Sequence, residues 1–136
     1  FNSVNRKYHN ANYLCHNEME MRLAAHNNYG DIEDIVKKIA YKMNAKFATV
    51  TLGNKGSIVY DGIFYRTPIF INNVIDTMGT GDVFLAITSP LIASGCPADI
   101  VGFIGNAAGA LKSQIVGHEK SVDSISLFKF IATLLK

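Results

Sequence analysis

The heptapeptide Asp76-Thr77-Met78-Gly79-Thr80-Gly81-Asp82 brings together residue types that can do chemistry. Two glycines flank Thr80, a carboxylate follows at once, and the apolar run Val83–Ala93 comes next. This pattern predicts a tight turn opening onto a buried helix. Such a turn aims several backbone N–H groups at one spot, at the positive end of the helix. That spot holds an anion, with Asp82 beside it as a base. An anion hole next to a carboxylate is the minimum apparatus for phosphoryl transfer to a hydroxyl. Taken alone, the segment is equally a glycine-rich loop with a capping aspartate. Two common phosphate motifs are excluded. A dinucleotide fingerprint needs a third glycine where Phe84 stands, and the chain has no Gly-Lys-Ser/Thr tripeptide for a Walker A loop.

Three further places carry candidate polar chemistry. Asn17-Glu18-Met19-Glu20, by itself, reads as an exposed helix-capping segment. Thr51-Leu52-Gly53-Asn54-Lys55-Gly56, by itself, reads as a hairpin turn. Asn106 is a lone amide in the apolar run Ile100–Leu111, so it must find partners, either in the protein or in a ligand pocket. His9, His16, His26 and His118 have no metal-ligand spacing.

The elements that must position these residues alternate between strand and helix. Asn12–Cys15 reads as a short strand. Glu18 to about Asn27 reads as a helix stopped by Asn27-Asn28-Tyr29-Gly30. Asp31 is an N-cap, and Ile32, Ile35, Val36, Ile39, Ala40 and Met43 follow at helical spacing. Phe47–Leu52 is a short β-branched run without polar alternation, as in a parallel strand covered on both faces. Ser57–Tyr60 and Ile63–Arg66 predict a hairpin around Asp61-Gly62, and 69–75 another extended piece. The helix after the heptapeptide runs to Ser94, with Pro90 expected to kink or shorten it. Gly95 and Pro97 separate it from a helix over about Ala98–Val116, where Gly105 and Gly109 offer a small face for packing. Ser121–Lys136 carries a last amphipathic helix through Ile125, Phe128, Ile131, Ala132 and Leu135. The alternation argues for an α/β layered fold.

Bulk properties narrow the function further. A chain of 136 residues, 49% of them hydrophobic, can bury a real core. Its net charge is +2 and its basic residues are scattered, with Arg6-Lys7 and Lys37-Lys38 the adjacent pairs, so nucleic-acid or membrane-surface binding has no electrostatic support. No stretch reaches the roughly 18 apolar residues of a membrane-spanning helix. Cys15 and Cys96 fit no CxxC pattern and suggest buried free thiols in a reducing, cytoplasmic compartment. The chain begins at Phe1 without an initiator Met, which points to a piece of a longer protein.

The heptapeptide resembles the DTxGAGD signature of the ribokinase (PfkB) family of carbohydrate kinases, with Thr80 where the family usually has Ala. Asn17-Glu18-Met19-Glu20 is similar to the family's NxxE motif, and Thr51–Gly56 to its TxGxxG motif, in the family's order along the chain. The resemblance implies an α/β, three-layer ribokinase-like fold with a mostly parallel central sheet. It implies that residues 1–136 are the C-terminal, nucleotide-binding and catalytic half of a kinase domain roughly twice as long. It implies ATP and Mg²⁺ as cofactors, with K⁺ as a further candidate, and a sugar or sugar phosphate as substrate. Asp82 would be the base, and the amides of Gly79, Thr80, Gly81 and Asp82 the anion hole. Thr51, Gly53, Gly56 and Asn106 would serve the nucleotide. Asn17 and Glu20 would organise Mg²⁺ and its waters, with Glu18 competing with Glu20. Asp76 would belong to a monovalent-cation site, with Gly117 and Ser121 in its second segment. Tyr13–Ala25 and Thr88–Gly117 are similar to the heptose-phosphate kinase group, sometimes fused to a nucleotidyltransferase. A nucleotide-binding module or an inactive homologue is the alternative function. A homodimer stays open, with the hairpin at 57–66 either exposed or part of a contact.

Overall fold

The computed structural model describes residues 10–136 apart from 72 and 118, so the expectations placed on His9 and His118 lie outside it. Four strands form one sheet in the order β1-β2-β3-β4: β1 Tyr13–Asn17, β2 Phe47–Thr51, β3 Ser57–Tyr60 and β4 Phe64–Thr67. Among the described residues five α-helices accompany them: α1 Glu18–Ala25, α2 Ile32–Lys42, α3 Thr80–Ala93, α4 Ala98–Lys112 and α5 Ser124–Leu134.

The expected mostly parallel sheet is parallel in one of its three described pairings. β1 and β2 run parallel, while β2–β3 and β3–β4 are antiparallel. Connection length is the reason. A parallel return needs a dozen or more residues. Only the β1–β2 connection is that long, because it contains α1 and α2. Gly53–Gly56 and the Asp61–Ile63 loop reverse the chain within a few residues. Tyr60 pairs with Phe64, so that hairpin loop has three residues rather than the expected two.

Side-chain alternation makes three layers. Leu14, Ala48, Val50 and Ile58 point to one face and pack with Met21, Ala24, Ile35, Val36, Ile39 and Met43 from α1, α2 and the α2 C-cap. Each large apolar side chain buried this way contributes about 1.5–3 kcal/mol. The α2 helix is the element the sequence spelled out most fully. Its periodic residues are buried, and Asp31 Oδ1 accepts from Glu33 N at 2.9 Å. Tyr13, Thr49 and Val59 face the other way, toward α3 and α4. The Tyr13 hydroxyl donates to Thr49 Oγ1 at 3.0 Å and lies 2.8 Å from Thr88 Oγ1 of α3. A Cβ on Gly102 of α4 would come within 3.2 Å of Val59.

Several boundaries and faces differ from expectation. β1 runs on to Asn17, α1 ends at Ala25 and α4 stops at Lys112. Within 69–75 no described residue is in a strand. α3 continues through Pro90 to Ala93. Pro90 and Ala86 are both exposed, so the carbonyl the proline leaves unbonded opens to water. Only one stripe of α3 is buried, at Phe84, Thr88 and Ile92, whereas Leu85 is 42% exposed. On α5 the buried face passes through Leu127, with Phe130, Ile131 and Leu134 against the same cluster, while Ile125, Phe128 and Leu135 are exposed. That helix is apolar on two sides, and periodicity alone cannot choose between them. Cys15 and Cys96 are free and half-buried rather than buried.

Candidate active site

Pairing register sets the first part of the site. Asn17 pairs with Thr51, Thr51 with Ser57, and Ser57 with Thr67. The Asn17–Glu20 and Thr51–Gly56 segments therefore leave neighbouring strand ends, about 4.8 Å apart, at the carboxyl edge of the parallel pair. Open α/β sheets bind ligands at this edge.

Helix packing brings the Asp76–Asp82 loop to the same edge. A Cβ on Gly102 would meet Thr67 Oγ1, one on Gly105 would meet the Phe84 ring at 2.5 Å, and one on Gly109 would meet Thr80 Cγ2 at 3.3 Å. Hence α3 and α4 run antiparallel, with glycines giving the close approach. Following α4 from Gly102 past Asn106 leads beyond Thr67, and Thr80 lies opposite Gly109. The other end agrees. Tyr13, at the start of β1, touches Thr88. From Thr88 back to Thr80 is about 12 Å of helix, and from Tyr13 to Asn17 about 13 Å of strand. The first turn of α3 is thus level with Asn17.

At that turn, Gly79 caps α3 in a left-handed conformation (φ 74°). The amide of Thr80 donates to Thr77 O at 3.2 Å, whereas those of Gly79, Gly81 and Asp82 donate to no described acceptor. These three open amides point from a helix N-terminus, the arrangement that attracts an oxyanion. Asp82 is exposed in the same turn and makes no hydrogen bond or ion pair with a described residue. The Thr80 methyl fits because position 109 is glycine, and Thr80 Oγ1 is buried with no partner among the described residues.

The Asp76 carboxylate, unlike that of Asp82, is held by backbone amides. Its Oδ1 accepts from Met78 N at 2.9 Å and its Oδ2 from Gly117 N at 2.8 Å, which ties the loop to the segment after α4. Ser113 O, just past α4, accepts from Ile75 N and Asp76 N. The Met78 amide, then the Gly117 amide, and the charge of Lys112 hold the Asp76 carboxyl below the ordinary aspartate range. The folded state therefore favours the carboxylate. Its contribution is complete above about pH 4 and is lost as pH falls through the lower folded value. We expect Asp76→Asn to lower the urea midpoint at neutral pH and the gap to wild type to narrow on acidification below about pH 4. A gap that stays constant would show that Asp76 does not act through its charge.

Asn17 and Glu20 form a complete capping box. Asn17 Oδ1 accepts from Glu20 N at 2.8 Å, and Glu20 Oε2 accepts from Asn17 N at 3.0 Å. The N-x-x-E spacing thus has a structural reason of its own. Glu20 Oε1 remains for a ligand, while Glu18 is taken by Arg22, with Nε 2.9 Å away. His16 Nδ1 lies 3.7 Å from Glu20 Oε2, and burial lowers the His16 pKa against the opposing pull of that carboxylate. Among the described residues no cluster of three or more His, Cys, Asp or Glu could hold a metal. One carboxylate oxygen suits a hard cation that keeps its waters and takes its other ligands from phosphates.

The glycines of Thr51–Gly56 differ in kind. Gly53 is exposed, and a Cβ there would meet nothing within 4 Å. Gly56 is buried at φ 87°, where a Cβ would fall 1.9 Å from Thr67 O. Asn106 Nδ2 donates to Thr67 O at 2.9 Å and to Pro68 O at 3.0 Å, so only its Oδ1 stays open to a ligand.

Sequence reasoning missed Lys112. It is 3% exposed at the end of α4 and its ammonium donates to Gly117 O. The signal was available, as a single cation closing an otherwise apolar helix. A concavity of ≈ 240 Å³ between α3 and the segment after α4 is lined by Val83, Ile87, Lys112, Lys120 and Ser121, beside the loop. A larger one of ≈ 560 Å³, lined by Lys37, Lys38, Tyr41 and Lys46 among others, touches none of the motif residues. It lies by the start of β2, at the opposite edge, so size does not mark the site here.

Comparison with known proteins bears on the family and the fold. The pfkB family carbohydrate kinase profile matches residues 3–124. The 2-dehydro-3-deoxygalactonokinase of Haloferax volcanii is 28% identical over 89 residues, 65% of this chain and 28% of that protein. Arabidopsis thaliana ribokinase, solved with ribose and ATP, superposes with a TM-score of 0.75 at 25% identity, over 87% of this chain and 40% of that one. Escherichia coli phosphofructokinase-2, solved with potassium, gives 0.82 at 18% identity, over 94% and 42%. The chain spans less than half the length of each. A family match over nearly the whole sequence, on the same fold, makes this chain a member of the pfkB family of carbohydrate kinases.

Proposed function

We propose that this chain is the C-terminal, nucleotide-binding and catalytic half of an ATP-dependent kinase, and that the complete protein phosphorylates a hydroxyl of a sugar or sugar phosphate in the cytoplasm. One observation carries the reading. Three separate sequence segments, Asn17–Glu20, Thr51–Gly56 and Asp76–Asp82, converge on one sheet edge around three open amides and an exposed carboxylate.

In this reading Asp82 accepts the proton of the acceptor hydroxyl as that oxygen attacks the γ-phosphorus. The bond to the β–γ bridging oxygen breaks and ADP leaves. The open amides of Gly79, Gly81 and Asp82 meet the negative charge that spreads over the transferring group. Thr80 N, committed to Thr77 O at 3.2 Å, joins them only if that turn loosens. Thr51 and Gly53 line the nucleotide side, and Asn106 Oδ1 is its remaining polar acceptor. Mg²⁺ supplies charge neutralisation on the phosphates when bound, with Glu20 Oε1 and the Asn17 turn holding its waters. The reading draws on the ribokinase solved with ribose and ATP and on a phosphofructokinase-2 solved with fructose-6-phosphate. Val74, Ile75, Met78 and Leu85 are 42–61% exposed around the loop, an apolar face suited to the acceptor-binding half.

The test is ADP release from ATP by the full-length polypeptide across a panel of sugars and sugar phosphates, heptose phosphate among them. Acceptor-dependent ADP release is the expected result. Saturable ATP binding with no turnover on any acceptor would instead favour the nucleotide-binding module.

A further inference from the structure

The resemblance that points to a sugar kinase also implies a monovalent cation at Asp76, shared with carbonyls near Gly117. The residues present do not fit that group. The Gly117 carbonyl, which would be a ligand, accepts the ammonium of Lys112. The Gly117 amide donates to Asp76 Oδ2 at 2.8 Å, so one residue links the lysine to the loop carboxylate. Lys112 is nearly fully buried, and a buried ammonium needs oxygen partners as a metal cation does. It is also the last residue of α4, where the helix dipole favours positive charge. Its charge reaches Asp76 through space and helps keep that carboxyl ionised. The geometry around Gly117 therefore already holds one positive charge, covalently tethered.

We infer that Lys112 is a built-in cation that holds Gly117, and through it the Asp76–Asp82 loop, in place of a bound K⁺, so that this protein works without added monovalent cation. Lys112 is a positioning residue in this scheme: it touches Gly117 rather than the reacting atoms. A second cation beside the ammonium would repel it at close range, so occupancy by Lys112 and by K⁺ exclude each other.

The inference rests on the kinase reading for its activity arm alone. A thermal arm stands independently, because any ion that binds the folded state raises its melting temperature. The full-length protein is compared in potassium chloride and tetramethylammonium chloride at equal ionic strength. The wild type is expected to show the same melting temperature in both salts, and kcat values within about twofold of each other. Lys112→Ala in tetramethylammonium is expected to lose about tenfold in kcat, equivalent to about 1.4 kcal/mol on the barrier, because the loop that Gly117 holds is no longer fixed. Potassium or ammonium chloride should restore part of that loss and raise the variant's melting temperature, a response a merely structural lysine would not produce. A wild-type melting temperature or kcat that rises with potassium overturns the inference. So does a folded Lys112→Ala protein indifferent to the cation. If Lys112→Ala does not fold, Lys112→Met replaces it, and the wild-type melting comparison decides regardless. Absence of turnover with every acceptor would sink the kinase reading and leave the melting comparison intact.

Discussion

Asp82→Asn in the full-length protein is expected to reduce kcat about 10²–10⁴-fold, the usual contribution of a positioned general base, with the melting temperature and ATP affinity close to wild type. The two halves of that expectation come from different observations. The loss follows from the place of Asp82 in the first turn of α3, beside the open amides of Gly79 and Gly81. The unchanged stability follows from its exposure and its lack of any hydrogen bond or ion pair to a described residue. An amide of the same size fits the same space and cannot accept the proton. Steady-state kinetics with the acceptor from the panel, run beside a thermal melt, give both numbers. A variant that turned over at the wild-type rate would remove Asp82 from the mechanism and leave the loop as an anion site only.

Gly56→Ala is expected to cost about 4 kcal/mol or more, a range that marks a specific steric or packing failure. The added Cβ would lie 1.9 Å from Thr67 O and 2.9 Å from Pro68 C and Cα. All three are backbone atoms and cannot swing aside as a side chain would. Thr67 is fixed by pairing with Ser57 and by the amide of Asn106, so a shift there breaks the β3–β4 edge and loosens α4. The φ of 87° adds a penalty of about 1–2 kcal/mol for any residue with a Cβ. Gly53→Ala is the control. It bears a similar positive φ of 58° but meets no atom within 4 Å, so it should cost only the conformational part, about 1–2 kcal/mol. Urea unfolding of the pair separates the two terms. Equal midpoints would mean that the Thr67–Pro68 backbone yields easily.

That contrast shows how unevenly the site was legible. Both glycines belong to one recognisable hexapeptide, and nothing in the sequence says that one is required by packing and the other is free to face a ligand. The same holds for Asn17 and Glu20. Their spacing suits a cation site and a capping box equally, and the structure commits four of their polar groups to the box, a backbone amide and a side-chain oxygen from each. Asn106 was correctly expected to have partners. Their identity, two backbone carbonyls 38 and 39 residues away, depends on how α4 lies across the β4 end. The exposed face of α5 was misassigned for a similar reason, because Leu127 and Phe128 are both apolar and only the position of α4 selects between them.

By itself, the sequence determined what is local. The α2 helix and its Asp31 cap, the reversal at Gly53–Gly56, and the tight turn at Asp76–Asp82 with the helix behind it all follow from residues within one or two turns of each other, where propensity, capping and φ preference act. The order of three motifs also placed the chain in its family. Only the tertiary structure decided which of those pieces meet. The register Asn17–Thr51, the antiparallel packing of α3 on the glycines of α4, and the lysine that reaches Gly117 beside Asp76 are contacts between distant segments. They are fixed by shape complementarity and by the need to pair buried polar groups, and neither is written in any short stretch of the chain.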